Sequence, residues 1–202
     1  KMKKLMGLMK NIAEMPAGEV TMSNPVLKSR LKNIQEEERH SIDTSIETIY
    51  LLRIIASNVN ATMNHGIPVR GIIQLGQYLR TRGSSVDFVK LDHWLSKLHI
   101  PRFAQLQGSI LISLFGFEAT ELPFVKQLEK NAVLYTLRSI ENVEKDTEDW
   151  NFRQGNRVFV HNNQKMLRKN LRRSLRYVDY APIETTSNFI SNFSHSLSEI
   201  EE

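Results

Sequence analysis

The stretch from Ile46 to Leu79 limits the fold more than any other part of this chain. At about 100° per residue, Ile49, Leu51, Leu52, Ile55, Ala56, Val59 and Met63 share one arc of a helix, while Glu47, Ser57, Asn60 and Asn64 share the other. His65-Gly66 stops that helix, with Gly66 at the position past the end where left-handed backbone strains glycine least. Ile67-Pro68-Val69-Arg70 begins a second helix, with Pro68 in the first turn, where a missing N–H costs little. The result is a helical hairpin with one apolar side, which other helices must cover. The expected fold is all-α, a single-domain bundle of about eight to nine helices around this hairpin.

The rest of the chain reads as further helices. Lys1 to Met15 forms a short amphipathic segment ended by Met15-Pro16-Ala17-Gly18, and Ser23-Asn24-Pro25 starts a helix carrying Val26, Leu27, Leu31 and Ile34. That helix dissolves into Glu36-Glu37-Glu38-Arg39-His40, an acidic run that is either a solvated face or a docking patch for a basic helix further on. Ser41 or Asp43 caps the central helix, and Thr44-Ser45-Ile46-Glu47 fits a capping box. After Gly83, Asp87 caps a helix with Phe88, Leu91, Trp94, Leu95 and Leu98 on one side, and Pro101 opens another that ends at Gly116-Phe117. Leu128, Ala132, Tyr135 and Ile140 place a helix from Val125 to about Val143. Lys145 to Gln164 is aperiodic, with Val158-Phe159-Val160 as one short extended piece; then come a basic helix to Tyr180 and a last helix from Pro182. On that last helix Phe189, Phe193, Leu197 and Ile200 mark a stripe that must dock on something. The expected organisation is residues 1–40 as N-terminal helices, 41–144 as core helices, 145–163 as irregular loop, and 164–202 as the basic and C-terminal helices.

Composition excludes several function classes. There is no Cys, so disulfides and thiolate metal sites are out, and a reducing compartment is compatible. No run nears the ~18 apolar residues of a membrane span, and Lys10 cuts the N-terminal apolar run too short for a signal peptide. A cytoplasmic location is the expectation. The formal net charge of +5 permits contact with nucleic acid, anionic lipid or nucleotide phosphate without choosing among them.

The strongest local signal is the basic helix. Arg168, Arg172 and Arg176 recur at i, i+4 and i+8 beside Lys165, Lys169 and Arg173, with Leu167, Leu171, Leu175 and Val178 on the opposite arc. A row of planar guanidinium forks suits phosphates or carboxylates, because each fork donates two bonds at once. If the row holds a polyanion, each contacted phosphate steepens the log–log salt dependence by about one unit. Two plainer readings stand beside it: a solvated face balanced internally by Glu36–Glu38, or a helix lying on anionic lipid. The stripe itself offers no Trp or Phe for lipid insertion. Arg70, beside the hairpin turn, is the other binding candidate, ahead of Arg53, which reads as a solvated or pocket-lining edge.

His40, His65, His93, His99, His161 and His195 show no metal-ligand spacing, so no metal and no cofactor are expected. Asp87 with Asp92, and Asp146 with Glu148 and Asp149, make no acid/base pair, and no phosphate loop or nucleophile elbow is present.

His65-Gly66-Ile67-Pro68-Val69-Arg70-Gly71-Ile72-Ile73, Val86-Asp87-Phe88, Ile100-Pro101-Arg102-Phe103-Ala104 and Phe115-Gly116-Phe117 to Leu122-Pro123-Phe124 together carry a family resemblance. They resemble the C-terminal helical half of a bacterial family of uncharacterised nucleotidyltransferases, over about Ile49 to Tyr180; Asn151-Phe152 and Arg172-Arg173-Ser174-Leu175-Arg176 are similar to its tail. The resemblance implies a catalytic N-terminal domain in which a Gly-Ser turn precedes two closely spaced, metal-holding carboxylates. The 48 residues ahead of Ile49 contain no such arrangement. Gly83-Ser84-Ser85-Val86-Asp87 mimics the turn with one carboxylate and lies between helices, and Gln74 stands where the family has an acidic residue. The expectation is a non-catalytic interaction or regulatory module, a stand-alone relative of that accessory half. It would engage an acidic protein surface or a phosphate through Arg70, Arg168, Arg172, Arg173 and Arg176. The alternatives are nucleic-acid binding by the basic helix 164–178 and a degenerate nucleotidyltransferase completed by a partner.

Overall fold

A computed structural model describes residues 20, 22–41, 45–141 and 163–198, with the backbone alone over 163–169 and 195–198. Among the described residues there are eight α-helices and no strand. They are α1 (Pro25–Arg39), α2 (Ile46–His65), α3 (Val69–Arg82), α4 (Phe88–Lys97), α5 (Pro101–Phe115), α6 (132–141), α7 (Asn163–Tyr177) and α8 (Pro182–Ser198). The expected N-terminal segment 1–15, the aperiodic 145–162 stretch with its extended piece, and the Asp43 and Thr44 capping roles lie outside the described residues.

The hub is α2, which packs against α1, α3, α4, α5 and α7. Leu51, Leu52, Ile55, Ala56 and Val59 are fully buried as the periodicity requires, and the polar Thr48, Asn58 and Thr62, within or beside the same arc, are buried with them. Even the polar arc of Glu47, Ser57, Asn60 and Asn64 is half-buried. The apolar side of the expected hairpin is thus covered by other helices, while its polar arc stays partly exposed. The stop is as expected: Gly66 takes φ 93°, open to glycine and strained for other residues. Pro68 sits one place earlier than expected, as the N-cap of α3, where its missing N–H breaks no helical bond.

Burial of Asn58 is tolerated because its amide is satisfied. Asn58 Nδ2 donates to Gln107 Oε1 of α5 at 2.8 Å, and Gln107 Nε2 donates back to the Ile55 carbonyl of α2 at 3.2 Å. Gly71 of α3 lies against this pair: a Cβ there would stand 1.9 Å from Asn58 Oδ1. Three helices are therefore keyed together by one polar contact inside an apolar core.

Asn24 caps α1 by accepting from the Val26 and Leu27 N–H groups, and Asp87 caps α4 by accepting from Val89 and Lys90. Asp87's own N–H donates to Thr48 Oγ1 at 2.8 Å, which ties the α4 start to the hub. Gly116 closes α5 in left-handed backbone at φ 67°. Two expectations need correction. Helix α1 does not dissolve at Glu36 but continues to Arg39, and the N-cap of α2 is Ser45, whose side chain makes no capping bond. Its N–H donates instead to Glu38 Oε1 at 2.6 Å. Residues 125–131 are not helical, because α5 side chains occupy their N–H groups: Gln127 N donates to Gln105 Oε1 and Glu129 N to Ser109 Oγ. Only at 132 does the chain become free to coil.

Candidate functional site

The arginine helix α7 is anchored by aromatics. Tyr177 is fully buried, with its ring 5.6 Å from Tyr135 and 6.3 Å from Phe103, centroid to centroid. Burial pushes the Tyr177 hydroxyl up in pKa, with Ser139 and the Arg176 charge opposing that rise. This anchor fixes the rotation of the helix and so decides what each arginine meets.

The row is divided. Arg173 turns inward, its guanidinium donating to the carbonyls of Met63 (3.3 Å) and Asn64 at the C-terminal end of α2. Those carbonyls carry the negative end of the hub helix dipole, so Arg173 is a C-terminal cap supplied from another helix. Arg176 lies over the Tyr135 ring at 5.6 Å from its centroid, a cation–π contact. Arg172 is exposed and makes no ion pair among the described residues; the side chain of Arg168 lies outside them. Arg70 is exposed in the first turn of α3. Arg173 thus reaches the last turn of α2 just before Gly66, and Arg70 follows Gly66 on α3.

Among the described residues the acidic run pairs with lysines and with none of this row. Glu36 pairs with Lys32 (3.7 Å), Glu37 with Lys97 (3.7 Å) and Glu38 with Lys90 (3.1 Å), so its carboxylates serve α1 and α4. The internal balance between Glu36–Glu38 and the arginines, one of the expectations above, is corrected accordingly.

A second charged cluster escaped sequence reasoning because its members are far apart in the chain. Arg102 Nε and Gln105 Nε2 of α5 donate to Glu129 Oε1 at 3.1 and 2.8 Å, and the Tyr180 hydroxyl donates to Glu129 Oε2 at 3.3 Å. Burial works to raise the Glu129 pKa, but the hydrogen bonds from Arg102 and Gln105, the Arg102 charge and the Tyr180 hydroxyl outweigh it and hold the carboxyl below its usual range. The Tyr180 hydroxyl is pushed up to about 12, by burial first and by the Glu129 charge second. Arg102 also covers the Tyr180 ring at 4.8 Å. The cluster clamps the irregular 125–131 segment to α5 and to the turn between α7 and α8, a structural task.

Also unforeseen is how α8 docks. Its buried face is polar: Glu184, Thr185 and Asn188. Glu184 accepts from the Ser23 and Asn24 N–H groups, and Asn188 Nδ2 donates to Ser23 Oγ (3.2 Å) and Asn64 Oδ1 (3.1 Å). Of the expected apolar stripe, Phe189 and Phe193 stack on each other at 6.1 Å and Phe193 is 39% exposed, while the Leu197 side chain and Ile200 lie outside the described residues.

The remaining candidates are dispersed. His40, His65, His93 and His99 are exposed, His161 lies outside the described residues, and so does the side chain of His195. Asp87 is the α4 cap, Asp92 pairs with Lys126 at 3.3 Å, and Asp146, Glu148 and Asp149 lie outside the described residues. Among the described residues no three His, Asp or Glu side chains gather where a metal ion could be held, and no helix is long and apolar enough to cross a membrane. No protein-family model, curated protein or solved structure matches the chain.

Proposed function

We propose that this protein is a non-catalytic helical interaction module that engages an acidic or phosphate-bearing partner through the outer side of α7, in a cytoplasmic setting. The observation that supports it is the exposed guanidinium of Arg172 on a helix locked in place by Tyr177 and Arg173, while the nearest large acidic run spends its carboxylates on lysines. Holding the helix still reduces the ordering cost of binding. Arg173 and Arg176, grouped with the binding arginines on sequence grounds, take positioning roles in this reading, and Arg70 contributes from the hairpin turn. The resemblance to the accessory half of nucleotidyltransferases belongs to the same proposal.

The test is a salt titration of fluorescent poly-glutamate, inorganic tripolyphosphate and mixed-sequence DNA and RNA against the full chain and Arg172→Glu. Binding of poly-glutamate or tripolyphosphate that weakens in the variant supports the reading. Binding confined to nucleic acid, with a log–log slope that falls by about one unit in Arg172→Glu, transfers the surface to nucleic-acid recognition. No binding of any polyanion at low salt removes the proposal.

A further inference from the structure

The outer surface of the α7–α8 hairpin joins charge to exposed apolar area. Leu175, in the last turn of α7, is 67% exposed, and Leu171, one turn earlier, is 43% exposed. On the same hairpin Ile190 is 58% exposed, beside the partly exposed Phe193. The expected placing of these leucines opposite the arginines is corrected: at about 100° per residue Leu171, Leu175, Arg168 and Arg172 fall within one arc of about 100° on α7, so the leucines border the row. The core-facing Arg173 and Tyr177 lie on the other side. Leucines at i and i+4 therefore run parallel to arginines at i and i+4 along a helix that is held rigid from behind. Exposed apolar side chains on one hairpin, bordered by one sign of charge, mark a recognition site.

We infer that this surface receives an acidic amphipathic helix, whose apolar side covers Leu171, Leu175 and Phe193 and whose carboxylates meet the Arg172 edge. This names the partner class for the site of the proposed function and rests on that reading. Charge complementarity selects the occupant. A second copy docked antiparallel by two-fold symmetry would bring one arginine row against the other, with like charges facing, and a parallel copy would offer the arginines no carboxylate. A bilayer surface is best met by cations on both flanks of the apolar strip, whereas here the arginines border only one. The acidic residue Asp179 at the end of α7 sets a direction: the carboxylate-rich part of the partner belongs near the start of α7, where Lys165 to Arg172 hold four of the cations.

The experiment measures anisotropy of three labelled peptides of about 18 residues on the full chain. One places leucine at helical spacing with glutamate on the flanks, one exchanges glutamate for lysine, and one scrambles the acidic peptide so that no apolar face exists. Vesicles of phosphatidylserine and phosphatidylcholine form a fourth arm. The acidic amphipathic peptide is expected to bind at least about tenfold tighter than its scramble, with that preference abolished in Leu171→Asp/Leu175→Asp. In Arg172→Glu the affinity falls and the lysine peptide gains. Both sites are exposed, so the variants are expected to fold, which circular dichroism verifies. Equal binding of the acidic peptide and its scramble overturns the helix inference while leaving polyanion recognition standing. Vesicle binding without peptide binding assigns the surface to lipid, and failure of every acidic probe removes both readings together.

Discussion

Gly71→Ala places a methyl group where the hub helix has no room for one. The new Cβ would stand 1.9 Å from Asn58 Oδ1 and 2.8 Å from Asn58 Cγ, far inside any allowed contact. Asn58 is only 4% exposed and holds Gln107 at 2.8 Å, so its amide can yield only by breaking that bond. Leaving a buried amide partner unsatisfied costs about 1–3 kcal/mol. Overpacking of neighbouring side chains adds about 1–3 kcal/mol. The gain in helix propensity from glycine to alanine returns ~1 kcal/mol. The net expectation is a loss of ~3 kcal/mol, which for a chain of this size lowers Tm by about 6–12 °C. Gly83→Ala is the control: a Cβ there meets nothing within 4 Å, φ is −57°, and the change is expected to be neutral or slightly stabilising. Urea and thermal unfolding followed by circular dichroism measure both. In an Asn58→Ala background the clash has no target, so the cost of Gly71→Ala should largely vanish, giving a large coupling energy in the double-mutant cycle. A Gly71→Ala protein as stable as wild type, or a cost that persists without Asn58, would refute the three-helix key.

Two further expectations concern the charged contacts. Arg173→Ala removes the cap from the Met63 and Asn64 carbonyls and should cost about 1–2 kcal/mol of unfolding free energy, whereas Arg172→Ala should stay within ~0.5 kcal/mol; equal effects in denaturant titrations would contradict the division of the arginine row. Glu129 has a folded pKa below its unfolded value, so its contribution is present above the unfolded pKa and is lost as pH falls through the folded one. Glu129→Gln should therefore flatten the acid limb of Tm against pH relative to wild type, and an unchanged limb would show that the carboxylate gains nothing from Arg102 and Gln105.

What the sequence disclosed was short-range chemistry. Asn24 and Asp87 cap helices, Pro101 opens one, and Gly66 and Gly116 end two, because each act involves backbone within a few residues. What it concealed was partnership across the chain. Nothing local links Asn58 to Gln107, 49 positions further on, until the fold brings their amides together. Leu128, Ala132 and Tyr135 share a helical spacing, yet Gln105 and Ser109 claim the N–H groups before 132, so tertiary bonds override the local pattern. The arginine row shows both limits at once. Its spacing was legible, but whether each guanidinium faced carbonyl, ring or water depended on the rotation of α7, which Tyr177 sets.

The last helix turns that lesson into an argument about function. Burying Glu184, Thr185 and Asn188 against Ser23 and Asn64 while leaving Ile190 and Phe193 outward is the reverse of what the hydrophobic effect alone would select. The inversion is tolerable because each buried polar atom of the seam has a partner, and a satisfied polar seam specifies one docking register. Apart from the Phe189–Phe193 stacking, the apolar side chains that such a register turns outward gain little burial among the described residues, and they lie on the same hairpin as the exposed Arg172 edge. Fold and candidate site are in this sense one decision: the polar seam that fixes α8 is also what leaves its apolar face available.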